Sequence, residues 1–239
     1  MDRDRVKLLS NRIERSKLKR GDHIYTWRIA YTYAHHGVYI GDNRVIHFTR
    51  TPEGGASTQF WSSFSPASAG CKACADAKCQ HQEPANDGSV VEERGVRISC
   101  LDCFLAFLGN RGHLYLYAYG VTTMFFMSKA PGTCTMAASD PPDKVLHRAF
   151  YLLKHGYGKY SLIKHNCEDF SIYCKTELVI QSYDIVGLSN QVHGRITQAM
   201  EGDTTIMNIS GSELARYKAD FGVRKDVTRF PVEMMVKRF

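Results

Sequence analysis

The sequence predicts an α+β fold in which an antiparallel sheet packs against helices. Two observations carry this. Between His35 and Thr49, two β-rich runs flank Asp42-Asn43, a dipeptide that commonly joins antiparallel strands in a hairpin. Beyond Asp140, Val145, Leu146, Ala149, Leu152 and Leu153 recur at helical spacing. The 239 residues suffice to bury a core, and 44% hydrophobic with 23% charged residues is an ordinary globular composition.

The elements follow in order. Residues 1–16 form a polar, basic lead-in, and Leu18 to Asp22 reads as a turn. His23 to Trp27 is a short strand; His35 to Gly41 and Arg44 to Thr49 are the arms of the hairpin. Residues 50–98, rich in Gly, Ser, Pro and Ala and without periodicity, read as an irregular insertion carrying Cys71, Cys74, Cys79 and His81. Order is expected to return at Ile98, where Cys100 and Cys103 lead into the apolar run Phe104 to Leu108. Leu114 to Tyr119 is a buried strand candidate and Gly132 to Met136 another. The clearest helix has Asp140 as N-cap, Pro141 at its first position and Gly156 at its end. A second helix starts at Asn166 and places Cys167, Phe170, Tyr173 and Cys174 on one face. Residues 17–185 are therefore assigned to one catalytic domain, and 186–239, with scattered apolar residues and many charges, to a C-terminal extension.

The formal net charge is +7, and part of the excess is local. Residues 1–20 hold Arg3, Arg5, Lys7, Arg12, Arg15, Lys17, Lys19 and Arg20 against Asp2, Asp4 and Glu14. Such ends attract anionic surfaces, although a plain solvated face has the same composition. No RNA-binding motif or zinc-finger spacing accompanies them, so no nucleic-acid partner is expected. No stretch approaches the ~20 apolar residues that span a bilayer. The charged start, with its acidic residues, is unlike a signal or transit peptide. Eight cysteines in such a chain point to a reducing compartment, so a cytoplasmic location is expected.

The informative segment is His165-Asn166-Cys167-Glu168-Asp169-Phe170. Asn is a strong N-cap, which puts Cys167 at the first helical position. Free N–H groups and the helix dipole there favour an anion and should lower the thiol pKa, activating the residue as a nucleophile. The plainer reading is a buried, inert cysteine. A nucleophile needs a base, and the hairpin offers His35, His36 and His47. His35 and His36 point to opposite faces. A two-residue loop at Asp42-Asn43 pairs Val38 with His47 and puts His36 on the face of His47; a three-residue loop that includes Gly41 pairs Gly37 with His47 and puts His35 there. Physical reading leaves both open.

The run His35-His36-Gly37-Val38-Tyr39-Ile40-Gly41-Asp42-Asn43-Arg44-Val45-Ile46-His47, followed far downstream by Asn166-Cys167-Glu168-Asp169-Phe170, resembles the lecithin retinol acyltransferase family. Lys19-Arg20-Gly21-Asp22-His23-Ile24 fits its first strand, so the resemblance covers residues 17–180. The Cys-rich insertion and the Asn-Cys-Glu-Asp-Phe spelling look most like the plant NC-domain proteins of that family. The resemblance implies a permuted papain/NlpC-like fold, with the sheet packed against the nucleophile-bearing helix. It also implies a first histidine as base, a second twelve residues later that orients it, and an attacking cysteine. On this sequence these are His35, His47 and Cys167, a choice that favours the three-residue loop; His36 falls where the family varies. Tyr33, two residues before the base, matches a tyrosine that some members place near the oxyanion.

The implied activity is that of a thiol-dependent acyltransferase or phospholipase A, with a glycerophospholipid substrate and no catalytic cofactor. The acyl group passes to cysteine, then to water or an amine or alcohol acceptor. The sequence departs from the animal members in two ways: Glu168-Asp169 stands for Glu-His, and the hydrophobic C-terminal anchor has no counterpart. Membrane contact is therefore expected to be peripheral, through the basic ends.

Cys71, Cys74, Cys100 and Cys103 form two C-x-x-C pairs, enough thiolates for a structural zinc, with Cys79 and His81 as alternates. Free thiols on a loop are the plainer account. Cys134 and Cys174 read as core residues; His23, His147, His155 and His193 show no partner logic. Two other functions compete: an amide or peptide hydrolase of the NlpC-like class, and a catalytically silent, zinc-stabilised interaction protein. Oligomeric state is not legible.

Overall fold

A computed structural model describes residues 11–28, 33–49, 95–107, 110–161, 165–181 and 214–235. Its centre is a five-stranded antiparallel sheet. Strands β1 (His23–Arg28), β2 (Tyr33–Gly41), β3 (Arg44–Phe48) and β4 (Val96–Cys100) follow in sequence. The strands β5 (Ala106–Phe107) and β6 (Asn110–Arg111) pair only with each other, and β7 (Tyr115–Leu116) completes the main sheet in the order β4-β3-β2-β1-β7. The lead-in continues this edge, with Ile13 N–H on Leu114 O at 3.1 Å and Leu116 N–H on Asn11 O at 2.8 Å.

The hairpin decides which histidines meet. Asp42 and Asn43 have φ of +49° and +55°, the positive values a type I′ two-residue turn requires, and Gly41 pairs with Arg44. The register then shifts between Tyr39 and Gly41, so that Tyr39 faces Val45 and Val38 faces Ile46. A bulge at Ile40 thus combines the short loop with the register expected of the longer one. Gly37 lies against His47, where an added Cβ would sit 3.1 Å from the His47 Cβ and 2.6 Å from a Val45 methyl. His35, two residues before Gly37, shares the face of His47.

The two faces of the sheet are covered differently. Val38, Ile40, Ile46 and Phe48 pack against α3 (Pro142–His155), through Val145, Ala149 and Leu152, and against α4 (Cys167–Thr176), through Phe170 and Tyr173. On the opposite face Ile24 and Val45 meet α1 (Leu101–Leu105), through Leu101, Phe104 and Leu105. All but one of the ten α4 residues are buried, so this helix is core on every side. A short α2 (Thr123–Ser128) lies between these layers in sequence, capped by the Thr122 hydroxyl on Phe125 N–H at 3.3 Å.

Four sequence expectations change. The sheet reclaims Val96 to Ile98 from the expected insertion, because β4 pairs with β3 along its whole length, Phe48 with Val96 through Arg44 with Cys100. Gly132 to Met136 is no strand; it makes only an isolated bridge, Ala118 with Cys134. Helix α3 begins at Pro142 with Pro141 as N-cap, since the Asp140 carboxylate is drawn instead to Arg148 (2.7 Å) and Arg229 (2.8 Å). Gly156 does end that helix, at φ +89°. Part of the C-terminal extension also packs onto the core: β8 (Leu178–Ile180) pairs with β9 (Val227–Arg229), and α5 (Val232–Met235) buries Val232 and Met235 beside α3. The buried Asp220 carboxylate accepts Met136 N–H at 3.0 Å. Among the described residues no helix is long and apolar enough to cross a membrane.

Candidate active site

His35 and His47 meet in the interior. His35 Nε2 lies 2.9 Å from His47 Nδ1, and His47 Nε2 lies 2.7 Å from Ser99 Oγ on β4. Phe104 of α1 packs on both rings, with centroid distances of 5.2 and 5.7 Å. Burial, reinforced by His47 and the Arg28 guanidinium, pushes the His35 pKa well below the usual histidine value. Burial first, then Arg97 and Arg28, lowers that of His47 to about 3. Both rings are therefore neutral at neutral pH. The Ser99 hydroxyl can accept or donate, so two tautomer sets satisfy the row; in the one that suits a base, Nε2–H of His35 donates to His47 Nδ1, and Nε2–H of His47 donates to Ser99. That set leaves His35 Nδ1 as the nitrogen with a free lone pair.

Cys167 opens α4, as the N-cap reading expects. The Asn166 side-chain oxygen accepts the N–H groups of Glu168 (2.8 Å) and Asp169 (3.3 Å), and the Asp169 carboxylate accepts Asn166 N–H at 2.9 Å. This is a reciprocal capping box. The residue at which this chain departs from the animal spelling thus has a local task, closing the helix start that carries the cysteine. Ser171 hydroxyl holds the Cys167 carbonyl at 2.8 Å.

The sulfur lies against β2. The ladder between β2 and β3 ends at Val38 with Ile46, whereas β1 follows β2 down to Arg28 with Tyr33. Beside that unladdered stretch Cys167 Sγ is 3.9 Å from Ala34 O and within reach of the His36 main-chain N–H. The structure therefore places the sulfur at the backbone on either side of His35, while the His35 ring turns to the α1 face; ring and sulfur are not hydrogen-bonded. Cys167 is 2% exposed, and burial pushes its thiol up to about 12, opposed by the His36 N–H and the Tyr160 hydroxyl. The expected lowering at a helix N-terminus is overturned: desolvation of a fully buried sulfur outweighs the dipole, and Cys167 rests as a thiol.

Arg28, which the sequence reading passed over, adds a buried cation. Its guanidinium donates to the Phe104, Leu105 and Ala106 carbonyls at 2.5, 3.4 and 2.7 Å, capping the C-terminal end of α1. Both Cys167 and Tyr33 act on its charge, and burial lowers its pKa to about 10. Tyr33, half-buried at the start of β2, pairs with Arg28 across the ladder. The only sequence signals for Arg28 and Ser99 are their strand positions, which share the face of His35 and His47; that face is visible only once the register is known.

The zinc candidates Cys71, Cys74, Cys79 and His81 lie outside the described residues. Cys100 and Cys103 occupy the corner between β4 and α1, where Cys100 Sγ accepts Cys103 N–H at 3.3 Å. Among the described residues there is no group of three or more His, Cys, Asp or Glu side chains that could hold a metal. His23 does have partners: it is buried, bonded to Tyr119 and His36. His147 meets Glu233 at 3.1 Å.

A family model described as lecithin retinol acyltransferase matches residues 16–180. A curated relative from Arabidopsis thaliana, Protein LEAD-SENSITIVE 1, is 42% identical over 252 residues, covering 97% of this chain and 91% of the relative. No solved structure matches the chain.

Proposed function

Because the chain belongs to the lecithin retinol acyltransferase family, whose members are typically cysteine-dependent acyltransferases and phospholipases, we propose that it is a thiol acyltransferase or phospholipase A-type enzyme of permuted papain/NlpC-like fold. Cys167 is the nucleophile, His35 the base and His47 the residue that orients the base. The observation that carries the reading is the Ser99–His47–His35 row ending beside the strand backbone against which the Cys167 sulfur lies.

With the thiol protonated and both imidazoles neutral, the proton moves during attack rather than beforehand. His35 Nδ1, once its ring turns from the α1 face toward the sulfur, takes the thiol proton as Sγ attacks the ester carbonyl of a glycerophospholipid. The new C–S bond yields a tetrahedral oxyanion, which collapses with rupture of the ester C–O bond. The lysolipid oxygen leaves with the proton from His35. Water, or an amine or alcohol acceptor, then gives its proton to His35 and adds to the thioester carbonyl; C–S rupture returns that proton to sulfur. His47 keeps Nδ1 of His35 free by accepting from Nε2, and shares the positive charge that develops there. Arg28 supplies a fixed positive field near the sulfur while negative charge develops. The basic lead-in supports peripheral contact with an anionic lipid surface.

The test is intact-protein mass spectrometry after incubation with mixed phospholipid vesicles. An acyl adduct on the wild type, absent from Cys167→Ala and released by hydroxylamine, is the expected result. An unmodified wild type whose Cys167 is also inert to iodoacetamide would transfer the assignment to a non-catalytic interaction protein.

A further inference from the structure

Strand β2 carries a second histidine pair that the proposed chemistry does not use. His36 follows His35 and turns to the α4 face. Its Nδ1 lies 2.9 Å from His23 Nε2, and His23 Nδ1 lies 2.7 Å from the Tyr119 hydroxyl. Tyrosines wall this row: Tyr25 stacks on His36 at 5.5 Å between centroids and Tyr117 stacks on His23 at 4.2 Å. Tyr117 also donates to Glu168 Oε1, next to the nucleophile, at 3.2 Å. The row ends on His36 Nε2, which is buried and makes no hydrogen bond. Whichever way the protons run along the row, that nitrogen is left over, an arrangement with a desolvation cost that a phenylalanine would avoid. The ring's one side-chain hydrogen bond runs through Nδ1; Tyr25 and Tyr117 pack against it, the ladder with β1 carries the strand, and the bond to His23 sets how the ring and its backbone sit within that frame. Cys167 Sγ lies 3.9 Å from Ala34 O on the same strand edge, and the main chain of His36, two residues on, acts to lower the thiol pKa.

We propose that the Tyr119–His23–His36 row is a positioning device for the nucleophile, fixing the His36 main-chain N–H as the donor that grips the Cys167 sulfur opposite the Ala34 carbonyl. The proposal rests on the reading of Cys167 as the nucleophile. An N–H donor stabilises the thiolate more than the thiol, whereas a carbonyl holds only the thiol; the balance between them depends on where the strand lies. The other charged and titratable groups that act on the sulfur are Glu168 and Asp169 of α4, Tyr160 before it and Arg28 at the end of β1. Lys175 acts on His23 from α4.

Two substitutions separate the anchor from mere space-filling. The amide of His36→Asn falls where Nδ1 lies and keeps the bond to His23; the amide of His36→Gln falls nearer Nε2 and loses it. The measurement is the rate of Cys167 alkylation by iodoacetamide in the full chain, followed on the Cys167 peptide from neutral to alkaline pH, with circular dichroism as the check of fold. We expect His36→Gln to slow alkylation at neutral pH about tenfold and move the profile up by about one pH unit, with His36→Asn close to wild type. Tyr119→Phe, which removes only the far hydroxyl, shifts the profile in the same direction by less. A folded His36→Gln with the wild-type profile, or equal losses in the Asn and Gln variants, overturns the proposal. Should His36→Gln fail to fold, an unchanged profile in Tyr119→Phe overturns it. Wild-type Cys167 reacting no faster than buried Cys174 overturns the nucleophile assignment itself, and the positioning role with it.

Discussion

Two histidine pairs flank strand β2, His35 with His47 toward α1 and His36 with His23 toward α4, each joined at 2.9 Å. The first is bordered by a phenylalanine, ends on the small Ser99 hydroxyl and has a buried arginine nearby. The second is enclosed by tyrosines and ends on a phenol. Alternation of side chains along one strand is enough to give consecutive residues of the same type separate surroundings. On the proposed reading, one pair handles the proton and its neighbour holds the geometry, so the same residue type serves chemistry on one face and architecture on the other.

Substitution of the first pair should break this comparison most sharply. His35→Ala is expected to lower thioester formation about 10³-fold while leaving the fold intact, the loss of a general base. An equal loss in His36→Asn, measured by the same mass shift, would erase the distinction between the faces.

Next in size is a stability effect common to both pairs. His36 and His47 have pKa values lowered to about 3 by burial, and His23 and His35 are lowered well below the usual value, again by burial first. The unfolded chain takes up these protons below about pH 6.5 and the native chain does not. Stability is therefore at its full value above about pH 6.5 and erodes as pH falls from there toward 3, with a loss at pH 5 of at most about 2 kcal/mol per histidine. Urea titrations at pH 7.5 and pH 5 measure it; equal midpoints would mean that the rings are already charged or solvated.

His47→Ala should cost about tenfold to a hundredfold in thioester formation, less than His35→Ala, because it orients the base without touching the substrate. The smallest effect belongs to the helix start. Asn166→Ala removes one half of the capping box and should destabilise the chain by about 1 kcal/mol, read as a lower midpoint in thermal denaturation.

Much of this was legible beforehand, and the exceptions have physical reasons. The hairpin and the Asn166 cap come directly from residue type and spacing, and the family from the resemblance of the His35–His47 and Asn166–Phe170 runs. The partner of His47 does not, because loop length and register are independent once a bulge at Ile40 adds a residue to one arm. Arg28 was invisible because its guanidinium is satisfied by three carbonyls more than seventy residues away. The raised pKa of the Cys167 thiol is not visible in the sequence, because an N-terminal helix position says nothing about how much water reaches the sulfur. Gly132 to Met136 has strand-like composition, but Ala118 and Val121 meet its backbone only at scattered points.

The packing of residues 214–235 has a consequence for where the protein can be cut. The family model ends at residue 180, yet Tyr173 bonds the Phe230 carbonyl at 2.7 Å, and Arg229 reaches both Asp140 and Glu177. A fragment trimmed to the recognisable boundary would expose the seats of Val232, Met235 and Phe221 and leave Arg148 with fewer companions around its two carboxylates. What the family model marks as a module and what the chain needs in order to stay closed are different lengths here, and a shortened preparation would report on the missing tail as much as on the domain.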